Sequence, residues 1–415
     1  MIPVLSYGMG VESTAILLEW MENPASRNFD LKDLIVITSM VGDEYPDTQK
    51  LVEEHILPRM RQHNIRFVQV ARAGHNQKDG IVVLSDTRQP HKLHFQGVYK
   101  LSDELRANGT VPQFGGEHRC ALKFKAFVIE TWLDENVYGP ILHTFGYNAD
   151  ELGRVKRSRA AFDARNARIK DKAEVVFGFN SEEQGRADRA AKYDHPLRQG
   201  GFPLVDWGWN RARCHERIHE ILGIWWRKSA CVFCPFNRLS PAKIERMREF
   251  PDEVGQGLAI EYMSLCLNYR GTLYAKKSLM EVLMQAGATD VISRCLSTME
   301  QTTWAVYHVR RVYSRKGSAD RSVQTVAHGT KGEMLGHLFG MPGVTLETLR
   351  TITYGWVRRR EPDVYPSAEE FYVAAPAYVQ DKAGHHGFDW FDNQRWLPFL
   401  AGTLKHRIEA EVPEV

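Results

Sequence analysis

The 415-residue sequence predicts an α/β fold: a parallel sheet with helices on both faces, followed by a mainly helical C-terminal domain. Three observations carry this. Apolar, β-branched runs alternate with amphipathic stretches through the first part of the chain, the βαβ rhythm of a covered parallel sheet. A glycine-rich loop joins the first such run to the first helix. Past Pro241 the strand signature gives way to consecutive helical patterns.

In order, residues 2–5 (Ile-Pro-Val-Leu) read as a short buried strand, with Pro3 tolerable only near its start. Residues 12–22 read as a helix, apolar through Ala15, Ile16, Leu17, Leu18 and Trp20. Residues 34–38 are a β-branched strand, a helix opens at Asp47 or Thr48 and runs to about His63, and "IRFVQVA" (65–71) is a third strand. Residues 72–118 are polar and irregular, with several Gly and His, and read as an insertion or lid. Residues 120–136 read as a helix, 140–151 as a strand entering a loop, 173–179 and 201–207 as further strands, and 210–223 as a helix with Gly223 at its end. The domains are therefore expected to be 1–240 and 241–415, the latter helical over 241–300 and mixed helix and loop beyond.

Composition bounds the function classes. The chain is 43% hydrophobic and 25% charged with a formal net charge of +3, so affinity for nucleic acid has to come from local patches. No apolar run approaches membrane-spanning length, and the N-terminus enters a strand directly, so a cytoplasmic protein is expected. Six cysteines, two in a C-x-x-C, do not resemble a secreted disulfide framework; in a reducing compartment they suggest metal or redox chemistry.

The loop "VLSYGMGVESTAILL" (4–18) places Gly8 and Gly10 before a helix N-terminus. Glycine permits close backbone approach, and a helix N-terminus aims free N–H groups and a positive dipole end at one point, an anion site. Ser6, Ser13 and Thr14 add hydroxyls. An ordinary strand–turn–helix connection with a Ser/Thr cap has the same composition. The loop has no lysine, so it is not a Walker loop, and its glycines do not fit the dinucleotide fingerprint.

The loop resembles the PP-loop of the ATP pyrophosphatases, S-x-G-x-[DE]-S-[ST] with small insertions, in the branch that holds the phosphoadenosine-phosphosulfate (PAPS) reductases and their relatives. Four further segments match that pattern in order: "TSMVGDEYPDT" (38–48), "EHRCALKFK" (117–125), "GYNADELGR" (146–154), and "PLVDWGW" leading to "KSACVFCPF" (228–236). The resemblance covers residues 2–240. It implies the adenine nucleotide α-hydrolase (HUP-like) sheet, with Ser6, Tyr7, Gly8, Gly10, Thr14, Thr38, Ser39, Gly42, Gly146, Asp150 and Glu151 around the nucleotide. Ser13, Glu12, Asp43 and Arg154 fall at catalytic positions, and Arg119, Lys123, Lys125 and Arg157 at positions facing an anionic substrate.

Elementary chemistry bears on several of these residues. Glu12 repels phosphate unless a divalent ion lies between them, so it reads as a Mg²⁺ partner or a helix-cap carboxylate. Asp43 and Glu44 follow the second strand, at the sheet edge where open α/β sheets bind ligands, or form a solvated acidic turn. Arg154 suits bidentate pairing with phosphate, or a surface ion pair. The basic residues around Cys120 suit an anionic substrate or a lowered thiol pKa. The resemblance folds Cys120 near Cys231 and Cys234. Three thiolates suit a [4Fe–4S] cluster with one open iron, or zinc with a further ligand drawn from Cys214, His215 or His118; a reversible disulfide or buried thiols remain alternatives. Cys266 and Cys295 read as core residues.

Two departures matter. No cysteine follows residue 295, whereas the reductases carry a nucleophilic one in a short C-terminal tail, and Cys120 stands alone where cluster-bearing reductases have an adjacent pair. The pattern is closer to the non-reductase branch, which includes the ATP pyrophosphatases of DNA phosphorothioation and the CysH-like proteins associated with type IV-B CRISPR loci. The expectation is cleavage of ATP, with Mg²⁺, to AMP and pyrophosphate, activating an acceptor for sulfur transfer or acting in a CRISPR or defence setting. The alternatives are PAPS or adenylylsulfate reduction, and a catalytically idle nucleotide-binding adaptor. Partners are expected to be a nucleic acid or a sulfur-donor protein, and no membrane. Two basic clusters mark where nucleic acid could bind: Arg154, Lys156, Arg157, Arg159, Arg165, Arg168 and Lys170 around the single acid Asp163, and Arg310, Arg311, Arg315, Lys316 and Arg321 with Tyr307 and Tyr313. A solvated basic helix that clamps ATP is the alternative for the first.

Overall fold

The computed structural model describes residues 1–112, 118–176, 198–237, 239–268, 271–274, 277–313, 319–341, 356–357 and 367–381; within these, side chains at 168–176, 311–313, 319–320, 356–357 and 367–370 are not described. The chain forms two compact units, Met1–Leu101 with Gly115–Asn237, and Ser102–Phe114 with Arg238–Val415.

The first unit is an α/β layer structure. Its strands are β1 (Ile2–Ser6), β2 (Ile35–Met40), β3 (Arg66–Arg72), β4 (Ile81–Thr87), β5 (Ile141–Thr144) and β6 (Arg198–Gly201), in the spatial order β4-β3-β2-β1-β5-β6. All neighbours are parallel except β3 and β4. Successive strand residues point to opposite faces, and the core divides accordingly. Leu5, Val36, Met40, Phe67 and Ala71 pack with helix α1 (Val11–Glu22) and with Cys214 and Ile218 of helix α5 (Arg211–Leu222). Helix α2, which runs Pro46–Leu51, through the π-helical turn Val52–Ile56, to Leu57–Gln62, lies on that face too. Val4, Ile35, Ile37, Val68 and Val70 pack with helix α3 on the other face. That helix runs Arg119–Ala121, through the π-helical turn Leu122–Ala126, to Phe127–Asn136. Helix α4 spans Leu152–Val176.

Chain order leaves β1 in one direction towards β2 and β3, and later in the other towards β5 and β6. The crevice beyond the C-terminal ends of β1 and β5 is therefore a topological switch point, where such sheets bind ligands.

Several expectations are corrected. The stretch 72–118 contains β4, an antiparallel edge strand with a register shift between Gln69 and Val70. Residues 173–176 continue helix α4, and 177–179 lie outside the described residues. In 201–207 only Gly201 belongs to a strand; Pro203–Asp206 forms a single helical turn, started by proline's fixed φ.

Among its described residues the second unit holds more helix than strand, but it also contains a sheet that the sequence reading did not expect. Helices α6 (Pro241–Glu249), α7 (Pro251–Leu267), α8 (Leu279–Gln285) and α9 (Thr289–Glu300) precede a four-stranded antiparallel sheet of β7 (Trp304–Tyr313), β8 (Ala319–Gly329), β9 (Trp356–Val357) and β10 (Ser367–Pro376), with helix α10 (Lys331–Phe339) after β8. The sheet is covered on both sides. Ala305, Tyr307 and Val309 pack with Met263, Cys266 and Leu267, while Trp304 and Val306 pack with Met334 and Leu338. Cys266 and Cys295 are buried. No helix among the described residues is long and apolar enough to cross a membrane.

Candidate functional site

A cavity of about 460 Å³ opens at the switch point, the volume of a small-ligand site. One wall is the loop after β1: Ser6, Tyr7, Gly8, Met9 and Gly10, then Glu12 and Ser13 of α1. The opposite wall is Ala121, Leu122, Lys125, Ala126 and Ile129 of α3, and the end is closed by His143, Phe145, Gly146 and Tyr147 after β5. Thr38, Ser39, Glu130 and Arg154 complete the lining.

The loop owes its shape to three features. Met9 sits at φ +57°, a left-handed conformation that costs a non-glycine residue energy. Its carbonyl accepts a 3.0 Å bond from the buried Trp226 indole N–H, and its side chain is buried in the core. Gly10 is the N-cap of α1 and offers no side chain to the first-turn N–H groups. Gly146 is needed for close approach: a Cβ there would stand 2.8 Å from the backbone N of Ser13.

The hydroxyls divide. Ser6 Oγ lies 2.8 Å from His143 Nε2 on the cavity floor, and Ser13 donates to the Gly10 carbonyl at 3.3 Å. Thr14, expected in the site, is fully buried, its Oγ1 3.2 Å from the Tyr7 hydroxyl, and it does not line the cavity. Burial pushes the Tyr7 phenol well above its ordinary pKa, so it stays protonated.

Glu12 is already paired. Its Oε1 accepts from Arg211 Nε at 2.6 Å and from Asn148 Nδ2 at 3.4 Å. This cancels much of the repulsion Glu12 would exert on an anion. Glu151 accepts from Arg154 and from the Asn148 backbone N–H, which pins the loop after β5, and the Arg154 guanidinium lies 4.2 Å from the Tyr147 ring centroid. Arg154 thus lines the cavity as an ion-paired, ring-stacked cation. Asp150 is exposed and outside the cavity lining.

Asp43 and Glu44 lead away from the cavity towards the C-x-x-C. The Val232 N–H donates to the Asp43 carbonyl at 2.9 Å, the Tyr45 N–H to the Ala230 carbonyl at 3.3 Å, and Glu44 forms a backbone bridge with Cys231. Asp43 is buried by this pairing, so neither it nor Glu44 is the solvated turn that composition allowed. Glu44 accepts from the Gly42 N–H at 3.1 Å, but its other oxygen is buried with no hydrogen-bond partner, and burial raises its pKa against the pull of Lys125. Gly42 takes φ +87° and, like Asp43, is not part of the lining.

Cys120, Cys231 and Cys234 share this neighbourhood. Burial raises the Cys231 thiol well above its ordinary value, with Glu44 adding to the effect. The same holds for Cys120, where burial and Cys234 outweigh Lys125, so the expected lowering by basic neighbours is reversed. Cys214 belongs to the apolar core beside Glu12, with its thiol pushed up to about 12 by burial. Among the described residues no three His, Cys, Asp or Glu side chains stand as a ready metal cage, and we derive no step through a cluster or zinc.

Of the substrate-facing set, only Lys125 lines the cavity; Arg119, Lys123 and Arg157 are exposed. Thr38 and Ser39 line it, and Ser39 ties β2 to α3 through a 2.5 Å bond to the Phe124 carbonyl.

The basic helix is partly spent on internal contacts. Arg165 pairs with Asp134 and Glu130, and Arg159 lies over the Phe202 ring at 5.3 Å. Lys156 and Arg157 are exposed, while the side chains of Arg168 and Lys170 lie outside the described residues. In the second cluster Tyr307 is fully buried and unable to stack on a base, and Arg321 donates to the carbonyls of Asn108 and Gly109. Arg311, Tyr313, Arg315 and Lys316 lie outside the described side chains.

Sequence reasoning missed His143, a single histidine in the strand "ILHT" with no motif around it. It also missed Arg211 and Trp226, whose signal is only a pairing partner distant in sequence. Comparisons with protein-family models, with curated proteins and with solved structures each give no match to this chain.

Proposed function

We propose that the first unit binds MgATP in the switch-point cavity and cleaves it between the α- and β-phosphates, giving AMP and pyrophosphate, as the resemblance to PP-loop ATP pyrophosphatases implies. The observation that carries this reading is the start of α1. An uncapped, glycine-approached helix N-terminus faces a cavity at the β1–β5 crevice, with Ser6 and Ser13 beside it and Lys125 across it. Phosphate oxygens would take the first-turn N–H groups and the Ser13 hydroxyl. The apolar face of α3 and the rings of Phe145 and Tyr147 suit a purine. Magnesium enters with the nucleotide and neutralises the departing pyrophosphate. An acceptor awaiting sulfur takes the adenylyl group in place of water.

The test is Mg²⁺-dependent release of AMP and pyrophosphate. Ser13→Ala should cost at least tenfold in kcat, since one lost donor to developing charge is worth about 2.7–4 kcal/mol. Release of ADP and phosphate alone refutes the reading.

One observation favours a second reading, an idle nucleotide-binding adaptor: the carboxylate of Glu12, in the first turn after the loop, is held by Arg211. Binding of ATP without turnover, in parent and Arg211→Ala alike, would establish it.

A further inference from the structure

His143 is almost fully buried on the cavity lining, and neither the loop motif nor the cleavage chemistry calls for it. It sits on β5, and its Nε2 is 2.8 Å from Ser6 Oγ on β1. Its other nitrogen, Nδ1, is buried with no hydrogen-bond partner, 3.8 Å from Glu130 Oε1. The rings of Phe145 and Phe162 pack against the imidazole at 4.3 and 5.9 Å between centroids.

The charged groups around it come from three elements. Glu130 and Asp134 rise from α3, Arg165 from α4 and Arg198 from β6. Arg198 and Arg165 each pair with Glu130 Oε2 and with Asp134, while the other Glu130 oxygen, Oε1, stands 3.8 Å from Nδ1, too far for a hydrogen bond. Among the described residues, Ser6 on β1 is the one group close enough to bond the ring.

We propose that His143 is a positioning residue: as a neutral ring with its proton on Nε2, it donates to Ser6 Oγ and thereby turns the Ser6 hydroxyl proton towards a phosphate-type oxyanion in the cavity. This rests on the reading of the loop as a phosphate site. A hydroxyl whose lone pair is occupied by a ring N–H has its own proton free to donate, whereas a hydroxyl that donates to a bare nitrogen does not. A proton on Nδ1 would be a buried donor with no hydrogen-bond partner, which favours leaving that nitrogen bare. Burial and the charges of Arg198 and Arg165 lower the His143 pKa well below the ordinary value, so the ring is neutral at physiological pH. The opposite tautomer would make Ser6 and His143 a nucleophile–base pair, with Glu130 as its third member.

The experiment uses the full chain labelled with ¹⁵N-histidine, with inorganic pyrophosphate as probe. Ring-nitrogen NMR should show His143 neutral with the proton on Nε2 from pH 8 down to pH 6. Calorimetric titration of pyrophosphate should weaken about tenfold or more in Ser6→Ala and in His143→Phe. It should weaken less than threefold in His143→Gln, whose amide restores a donor, and no further in the Ser6→Ala/His143→Phe double variant than in Ser6→Ala. Recovery by glutamine separates a lost donor from a damaged fold. A proton on Nδ1, a ring that titrates near 6.5, or covalent capture of Ser6 by a fluorophosphonate overturns the proposal. Pyrophosphate binding by the parent that is unchanged in both single variants overturns it alone; no binding by the parent overturns the phosphate reading as well.

Discussion

The Trp226 indole N–H donates to the Met9 carbonyl across 217 residues of chain, and Met9 is one of two non-glycine residues at positive φ among those described. A hydrogen bond from a buried donor thus holds the peptide between the two loop glycines in a conformation it would otherwise leave. Trp226→Phe keeps most of the packing and removes the donor. We expect a stability loss of about 1 kcal/mol, the usual net worth of one such bond, and a weaker hold on nucleotide than that loss alone explains. Urea denaturation and ATP titration of the same variant check both; unchanged ATP affinity would mean the loop keeps its shape without the indole.

Gly8 and Gly146 should behave oppositely. A Cβ at Gly8 meets nothing within 4 Å, so Gly8→Ala should leave stability within about 0.5 kcal/mol while crowding the anion's approach and lowering ATP affinity. A Cβ at Gly146 meets the Ser13 backbone, so Gly146→Ala should destabilise by about 1–3 kcal/mol as overpacking does. Thermal melts with and without ATP distinguish the two; equal melting losses would contradict the assignment.

Arg211 tests the electrostatics of the loop. Arg211→Ala leaves the Glu12 carboxylate, with its side chain 12% exposed, without its guanidinium beside the proposed phosphate site. The arginine is itself half exposed, so the stability loss should be modest, roughly 1–2 kcal/mol. ATP binding should fall about tenfold, and Glu12→Gln in the same chain should restore most of it. A double variant no better than Arg211→Ala would show that Glu12 does not repel the ligand.

Glu44 predicts a pH dependence. Burial raises its folded pKa, so folding favours the protonated acid. Its contribution is fully present below the unfolded value of about 4.5 and is lost as the pH rises through the folded value. Glu44→Gln should therefore melt above the parent at pH 7–8, with the difference closing as the pH falls to about 4.5. A variant that melts lower at neutral pH would show that the carboxylate is favourably paired there.

The part of the fold legible in the sequence is the part whose physics is local. β2 reads "IVITSM", buried on every residue, and the loop before α1 carries its glycines in view. β6 reads "RQGG", with no apolar signature; it is held by pairing with β5 and by Asn166, whose side chain bonds both the N–H and the carbonyl of Arg198. β4 is a half-exposed edge strand inside a polar stretch, so its alternation is weak. The second sheet escaped because β7, covered on both faces, shows no polar-out alternation, and its arginines drew the reading towards a basic surface. At the site, the loop residues were legible, but Thr14 turned inwards, and His143, Arg211 and Trp226 reach it only through tertiary packing.

The central claim, attack at the α-phosphorus of ATP in the β1–β5 crevice, is tested most directly by turnover of MgATP in H₂¹⁸O with mass analysis of the products. The account predicts AMP and pyrophosphate, with the heavy oxygen in AMP and turnover reduced at least tenfold in Ser13→Ala. Heavy oxygen in pyrophosphate, or ADP and phosphate as the only products, would contradict it.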